Sequence, residues 1–220
     1  MQRHFDEQIQ ELLQKLVLMG RLADSMIGLA LRILMERNVS HYAEVQRKEA
    51  EVNQLQLEVD DRAIKLTALQ QPVGSDVRFL FMASRIGSEL ERIADKALSI
   101  AKNARRLIES PPLKPLVDLP IMAEVVQKML GNAIESFVKR DLALAEVVLK
   151  EEDKVDAFRD QLFRELLTYM MSDPTTIPRA LALILISRSL ERVGDQATNI
   201  AEDVIYLVKG HDIRHQEEKG

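Results

Sequence analysis

The chain has no cysteine and no tryptophan, and aromatic residues make up only 4% of it. Without thiols there can be no disulfide, no thiolate metal site and no cysteine nucleophile. With so few rings, Leu, Ile, Val, Ala and Met must fill the core, which suits helix packed on helix better than sheet packed on sheet. Long apolar runs are also missing. The longest, Ala180 to Ile186, falls far short of the ~18 residues of a membrane span. The opening residues 1–7 are polar and contain no signal-peptide core, so a cytoplasmic protein is expected. Histidine is scarce: His4, His41, His211 and His215 all fall near expected helix ends or in the tail. No Glu-x-x-His occurs, which argues against a ferritin-like di-iron centre. His211 and His215 are four apart, but they follow Gly210 in a charged terminus expected to be disordered. Gly74, Gly87 and Gly194 form no phosphate-binding loop, and no serine stands in a recognisable arrangement with His and Asp.

What is present describes a globular helical protein. Of 220 residues, 46% are apolar and 30% charged, enough for a core and a soluble coat. The net charge is −5, and the lysines and arginines are scattered with no basic stripe among aromatics, so nucleic acid is not expected as a partner.

The strongest punctuation is Ser110-Pro-Pro-Leu-Lys-Pro115, followed by Pro120. Proline at this density fixes φ and removes donors, so no helix continues through it. Each side reads as three helices. The first set covers 5–37, then a helix ending near 69 with Ser40 as its cap, then one ending near 108 and capped within 72–76. The second covers 121–139, 142–171 and 179–208, with Asp141 as a cap and Pro178 in a first turn. No segment alternates with the period of a half-buried strand. The expected fold is all-α: two tandem three-helix bundles related by a pseudo-two-fold axis. The expected divisions are 1–110 and 121–210 for the bundles, 111–120 for a proline-rich linker and 211–220 for the tail.

The halves repeat. Arg37-Asn38 matches Arg140-Asp141, Glu49 matches Glu152, and Val52-Asn53 matches Val155-Asp156, all 103 positions apart, while the third helices match 100 positions apart. Those third helices carry apolar seams at steps of three and four, Phe79 to Leu107 and Leu183 to Leu207, as in a bundle. Beside each seam lies the same acidic pair. Glu91 and Asp95 sit four apart in Ser88-Glu-Leu-Glu-Arg-Ile-Ala-Asp95, and Glu191 and Asp195 in Arg188-Ser-Leu-Glu-Arg-Val-Gly-Asp195. Like charges at i and i+4 of a helix repel by a few tenths of a kcal/mol, roughly. Glu202 falls on the same flank as the second pair, where the first has Lys102, and Asn199 could add an amide oxygen. One reading is an all-oxygen metal site on each motif, suited to Mg²⁺, Ca²⁺, Mn²⁺ or Fe³⁺. The other is a solvated face with Arg92 and Arg192 pairing nearby acids. The acids Glu49/Glu51 and Glu151-Glu152-Asp153 read as solvated faces, and no catalytic constellation is evident.

These residues resemble the PhoU family. The likeness rests on Glu91-Arg-Ile-Ala-Asp95, on Glu191-Arg-Val-Gly-Asp195, on the helix entry Gln71-Pro-Val-Gly-Ser-Asp-Val-Arg78, and on the duplicated six-helix layout. It implies a non-enzymatic negative regulator of phosphate uptake and of the phosphate-starvation regulon. Such a regulator acts through contact with the ATPase subunit of a phosphate transporter and with a phosphate-sensing histidine kinase, and a homodimer is compatible with that role. The resemblance further implies metal ions, iron and zinc among them, on Glu91, Asp95, Glu191 and Asp195, with Asn199 as an additional donor. Two departures stand out: Ala94 where the family usually has Gly, and Lys102 on the first acidic flank. A lysine aimed at the first site would compete with a cation there, so the second site is expected to bind metal more tightly. A metal-dependent hydrolase on a helical bundle and a purely structural adaptor are the alternatives.

Overall fold

In the computed structural model, which describes residues 2–211, six helices succeed one another: α1 (Gln2–Glu36), α2 (Tyr42–Gln70), α3 (Ser75–Ile108), α4 (Asp118–Lys139), α5 (Leu142–Ser172) and α6 (Ile177–Lys209). Short 3-10 turns, Val39–His41 and Pro174–Thr176, precede α2 and α6. No strand occurs among the described residues, and none of their helices is long and apolar enough to cross a membrane. Positions 212–220 of the tail, including His215, lie outside the described residues.

The expected seams become the core. Ile86, Leu90, Ile93, Ala97 and Ile100 on α3, and Ile186, Leu190, Val193, Ala197 and Ile200 on α6, are all buried. Around them α1, α2 and α3 form one bundle, and α4, α5 and α6 the other. The bundles meet chiefly where α3 packs on α6, with a smaller contact between α1 and α4. The two third helices run antiparallel: Arg85 pairs with Asp203, Asn199 donates to Glu89, and the hydroxyls of Ser189 and Ser99 lie 3.5 Å apart. The last two contacts map onto each other under the hundred-residue repeat, so the pseudo-two-fold axis passes at the level of Ala94 and Gly194. Phe79 of α3 stacks on Phe137 of α4 with centroids 5.7 Å apart, a pairing worth about 0.5–1.5 kcal/mol beyond its burial.

Chain reversals explain the matched Arg-Asn and Arg-Asp pairs. Arg37 and Arg140 both adopt left-handed φ, 52° and 54°, just past α1 and α4. In each half the residue after the arginine caps the succeeding element. Asp141 accepts from the amides of Ala143 and Leu144 at the start of α5, as expected. In the first half the cap is Asn38, which accepts from the amide of Ser40, so Ser40 lies within the 3-10 turn instead of capping α2. α4 opens at Asp118, earlier than the proline pattern indicated, because Pro120 falls in the first turn, where its missing N–H breaks no intrahelical bond.

The proline-rich connection is strapped down. Arg37 donates to the carbonyls of Ile108 and Ser110, Arg179 donates to that of Pro111, and Lys114 pairs with Glu165. Leu113 and Leu116 pack on the core. The C-terminus of α6 is closed similarly. Arg78 of α3 donates to the carbonyl of Leu207 and lies over the ring of Tyr206, a cation at the negative end of a helix. Gly210, at φ 68°, ends α6 there, and a Cβ on it would fall 2.9 Å from the Arg78 guanidinium.

The Ala94 departure is a packing matter. A Cβ built on Gly194 would stand 3.4 Å from Cγ1 of Val155, an ordinary contact, and Ala94 already carries that methyl in full burial. Ala94→Gly should therefore cost about 1 kcal/mol through backbone entropy, while Gly194→Ala should be neutral or stabilising by up to about 1 kcal/mol. Urea denaturation of the two variants measures both, and a strongly destabilised Gly194→Ala would show that the helices approach more closely here than the geometry indicates.

Candidate functional site

Both acidic signatures lie midway along their helices, on the flank turned toward the second helix of the same half. On α3, Glu91 is half-buried and Asp95 exposed, with Glu49 of α2 beside them. Partial burial, and then the charge of Asp95, lifts the Glu91 carboxyl above its usual range; Arg92 opposes this and Glu49 adds to it. Arg92 is also engaged with Glu89, at 3.2 Å. Asn53, one turn beyond Glu49, donates its amide to Glu49 at 2.7 Å, which leaves its own Oδ1 buried without a partner.

The second cluster is larger. Burial, then the charges of Asp195, Asp156, Glu202 and Asp153, raises the Glu152 carboxyl. Glu191 is 8% exposed. Arg159 of α5 donates to it at 3.0 Å and also pairs with Asp156 at 3.1 Å. Arg192 joins Asp195 at 2.9 Å. A cation is thus already built into this half. By the repeat, Arg159 answers to Gln56, whose amide serves Asp60 instead.

The sequence-expected residues divide accordingly. Glu91 and Asp95 come together with Glu49, and Glu191 and Asp195 come together with Glu152 and Asp156. Asn199 belongs to the contact between halves, where its amide donates to Glu89 at 3.3 Å. Lys102 does not point at the first acidic flank. It lines a groove between α3 and α6, and the charges acting on Glu91 are Asp95, Arg92 and Glu49. Lys102 therefore supplies no cause for weaker metal binding at the first site. Sequence reasoning missed Glu49, Asn53, Glu152, Asp156 and Arg159 as parts of these clusters. The signal was present in the repeat itself, because Glu49/Glu152 and Asn53/Asp156 are among its best-matched positions.

The donor set suits a hard cation. It is all oxygen, it carries excess negative charge, two carboxyls are raised by burial and then by neighbouring acids, and the orphaned Oδ1 of Asn53 is an amide oxygen of the kind such ions accept. In this side-chain arrangement, however, no group of three or more acidic or imidazole side chains among the described residues converges closely enough to hold an ion. Coordination therefore requires rotation of the glutamate side chains.

Comparison with known proteins agrees with this architecture. The PhoU domain model matches twice, over residues 16–104 and 119–204. A phosphate-specific transport system accessory protein PhoU homolog of Aquifex aeolicus is 37% identical over 97% of this chain and 98% of its own. Another from Pseudomonas aeruginosa is 36% identical over 97% of this chain and 88% of its own. The crystal structure of PhoU from Pseudomonas aeruginosa superposes with a TM-score of 0.91 at 35% identity, covering 94% of this chain and all of that one. The phosphate transport system regulatory protein PhoU from Streptococcus pneumoniae gives 0.86 at 26% identity, covering 95% of this chain and 99% of that one. With one PhoU domain in each three-helix half, and likeness over nearly its whole length, the chain belongs to the PhoU family.

Proposed function

We propose that this protein is an accessory regulator of phosphate uptake, restraining both the transporter and the phosphate-starvation response when phosphate is ample. It acts without catalysis, by contact in the cytoplasm with the transporter's ATPase subunit and a phosphate-sensing histidine kinase. The observation that carries the reading is the matched pair of carboxylate clusters, at equivalent places in two PhoU domains that span the chain. Each cluster belongs to one rigid bundle, so α2 with α3, and α5 with α6, hold their acids in a fixed relation to one another. A divalent or trivalent cation, when bound, supplies the positive charge these carboxylates lack. Glu49, Asn53, Glu91 and Asp95 would hold it in the first half, and Glu152, Asp156, Glu191 and Asp195 in the second. In a bacterium deleted for its own PhoU, this chain should restore repression of a phosphate-starvation reporter in phosphate-replete medium. A reporter that stays high while the protein accumulates in folded form would refute the regulatory reading.

Removing the excess charge should stabilise the protein when no cation is present. Glu91 and Glu152 have raised folded-state pKa values, so each disfavours the folded state at neutral pH, and that penalty disappears as pH falls through the raised value toward the ordinary carboxylate range. In chelator at pH 7, Glu152→Gln should add about 0.5 kcal/mol, or about 1–2 °C in Tm for a chain of this length. The gain should vanish near pH 4 and reverse in saturating Mn²⁺. Differential scanning calorimetry across pH reads all three effects, and a gain that persists in acid would assign the stabilisation to something other than charge.

Arg159→Gln, which copies Gln56 of the first half, separates the built-in cation from an added one. In chelator it should cost about 1–3 kcal/mol, because the buried carboxylate of Glu191 loses a partner. Titration with Mn²⁺ should show tighter binding to the variant, by several-fold. Unchanged metal affinity would mean that Glu191 and Asp156 are not ligands.

A further inference from the structure

Between α3 and α6, on one side of the pseudo-two-fold axis, lies a groove of about 410 Å³. Its lining includes Lys96, Lys102 and Arg106 from α3, and Arg188 and Arg192 from α6, with no acidic residue among them. Along the sequence these cations look scattered; the antiparallel packing of the third helices gathers them. Arg192 is shared with Asp195 and Glu191. The other four have no carboxylate partner among the described residues, although the chain as a whole is negative. Two pairs, Lys102/Arg106 and Arg188/Arg192, stand four apart on their helices, where like charges repel.

The duplication provides an internal control. Moving one hundred positions to the other side of the axis places Glu202 where Lys102 was, Asp203 where Asn103 was, and Glu89 where Ser189 was. That side of the interface carries both signs and is internally paired, Asp203 with Arg85 and Glu89 with Arg92, the arginines standing where Leu185 and Arg192 were. One end of a copied interface thus gathers five cations, four of them without a carboxylate partner among the described residues, while the other end pairs its arginines with carboxylates. The floor of the basic groove is polar as well. Ser189 bonds the carbonyl of Leu185 and approaches the hydroxyl of Ser99, which keeps its own proton to donate.

We propose that this groove is a binding site for an extended, multiply charged anion bearing a phosphoanhydride chain, either a nucleoside triphosphate or a short polyphosphate. Guanidinium groups form forked hydrogen bonds to phosphoryl oxygens, and the two lysines add point charges. Four uncompensated cations match three to four negative charges. The volume lies within the roughly 300–1,000 Å³ of small-molecule sites, which favours a chain of phosphates over one. The proposal does not depend on metal at the carboxylate clusters or on the regulatory reading.

The test is isothermal titration of the full chain, in chelator so that no metal bridges ligand to carboxylates, with ATP in one series and tripolyphosphate in another. Binding at about 100 µM or tighter is expected at low salt, weakening as ionic strength rises. The double variant Lys102→Glu/Arg188→Glu should lose at least tenfold in affinity. Lys150→Glu/Arg164→Glu, an equal charge change at exposed positions on α5, should lose less than threefold. Should the charge reversal impair folding, as read from Tm without ligand, Lys102→Ala/Arg188→Ala replaces it, with a several-fold loss expected. Equal affinity for the two anions upholds the site and assigns recognition to the phosphate chain; a preference for ATP upholds it and adds the nucleoside. No binding of either anion at 1 mM, or equal losses in groove and control variants, overturns the proposal.

Discussion

The close antiparallel packing of α3 against α6 is the constraint on which the rest of the molecule depends. Polar side chains mark it at intervals along the two helices: Arg85 with Asp203, Glu89 with Asn199, and Ser99 beside Ser189. Each third helix must therefore serve three surfaces at once. Its seam faces its own bundle, one side faces the opposite half, and the remaining flank faces the second helix of its own half. The carboxylates occupy that last flank in both halves, which is why Glu91 is half-buried and Glu191 buried.

Duplication set this arrangement and divergence then used it. The first half keeps three carboxylates and the orphaned amide oxygen of Asn53. The second half has Asp156 in place of that amide and Arg159 to neutralise part of the charge. These are two solutions to one electrostatic problem. An internal guanidinium satisfies the charge permanently, whereas an open cluster makes the same satisfaction depend on what the surroundings supply.

Much of this could be read before any coordinates. Helical seams, the tandem repeat and the proline break come directly from periodicity and composition, and helix limits fell within a few residues of expectation. The differences have local causes. Ser40 looks like a cap because serine favours that position, yet Asn38 caps a 3-10 turn ahead of α2 and so places Ser40 inside that turn. Pro120 looks like a breaker, yet in a first turn it breaks nothing. The sites were less legible because they join separate helices. Glu91 and Asp95 are neighbours along one helix and announce themselves, but Glu49, Glu152 and Arg159 enter through packing that no single-helix pattern encodes. The orientation of Lys102 failed for the same reason: helical angle fixes which flank a Cα occupies, while a four-carbon side chain can lean toward either neighbouring surface.

A body built from two equivalent halves would ordinarily offer any partner two indistinguishable ways to sit down. Here the ends of the seam between the halves differ in charge, lysines and arginines in excess at one, and at the other Glu89, Glu202 and Asp203 set against only Arg85 and Arg92. An approaching charged surface experiences a torque before contact, so the near-symmetric molecule has a front and a back, and a defined polarity of assembly is written into a backbone that has almost none.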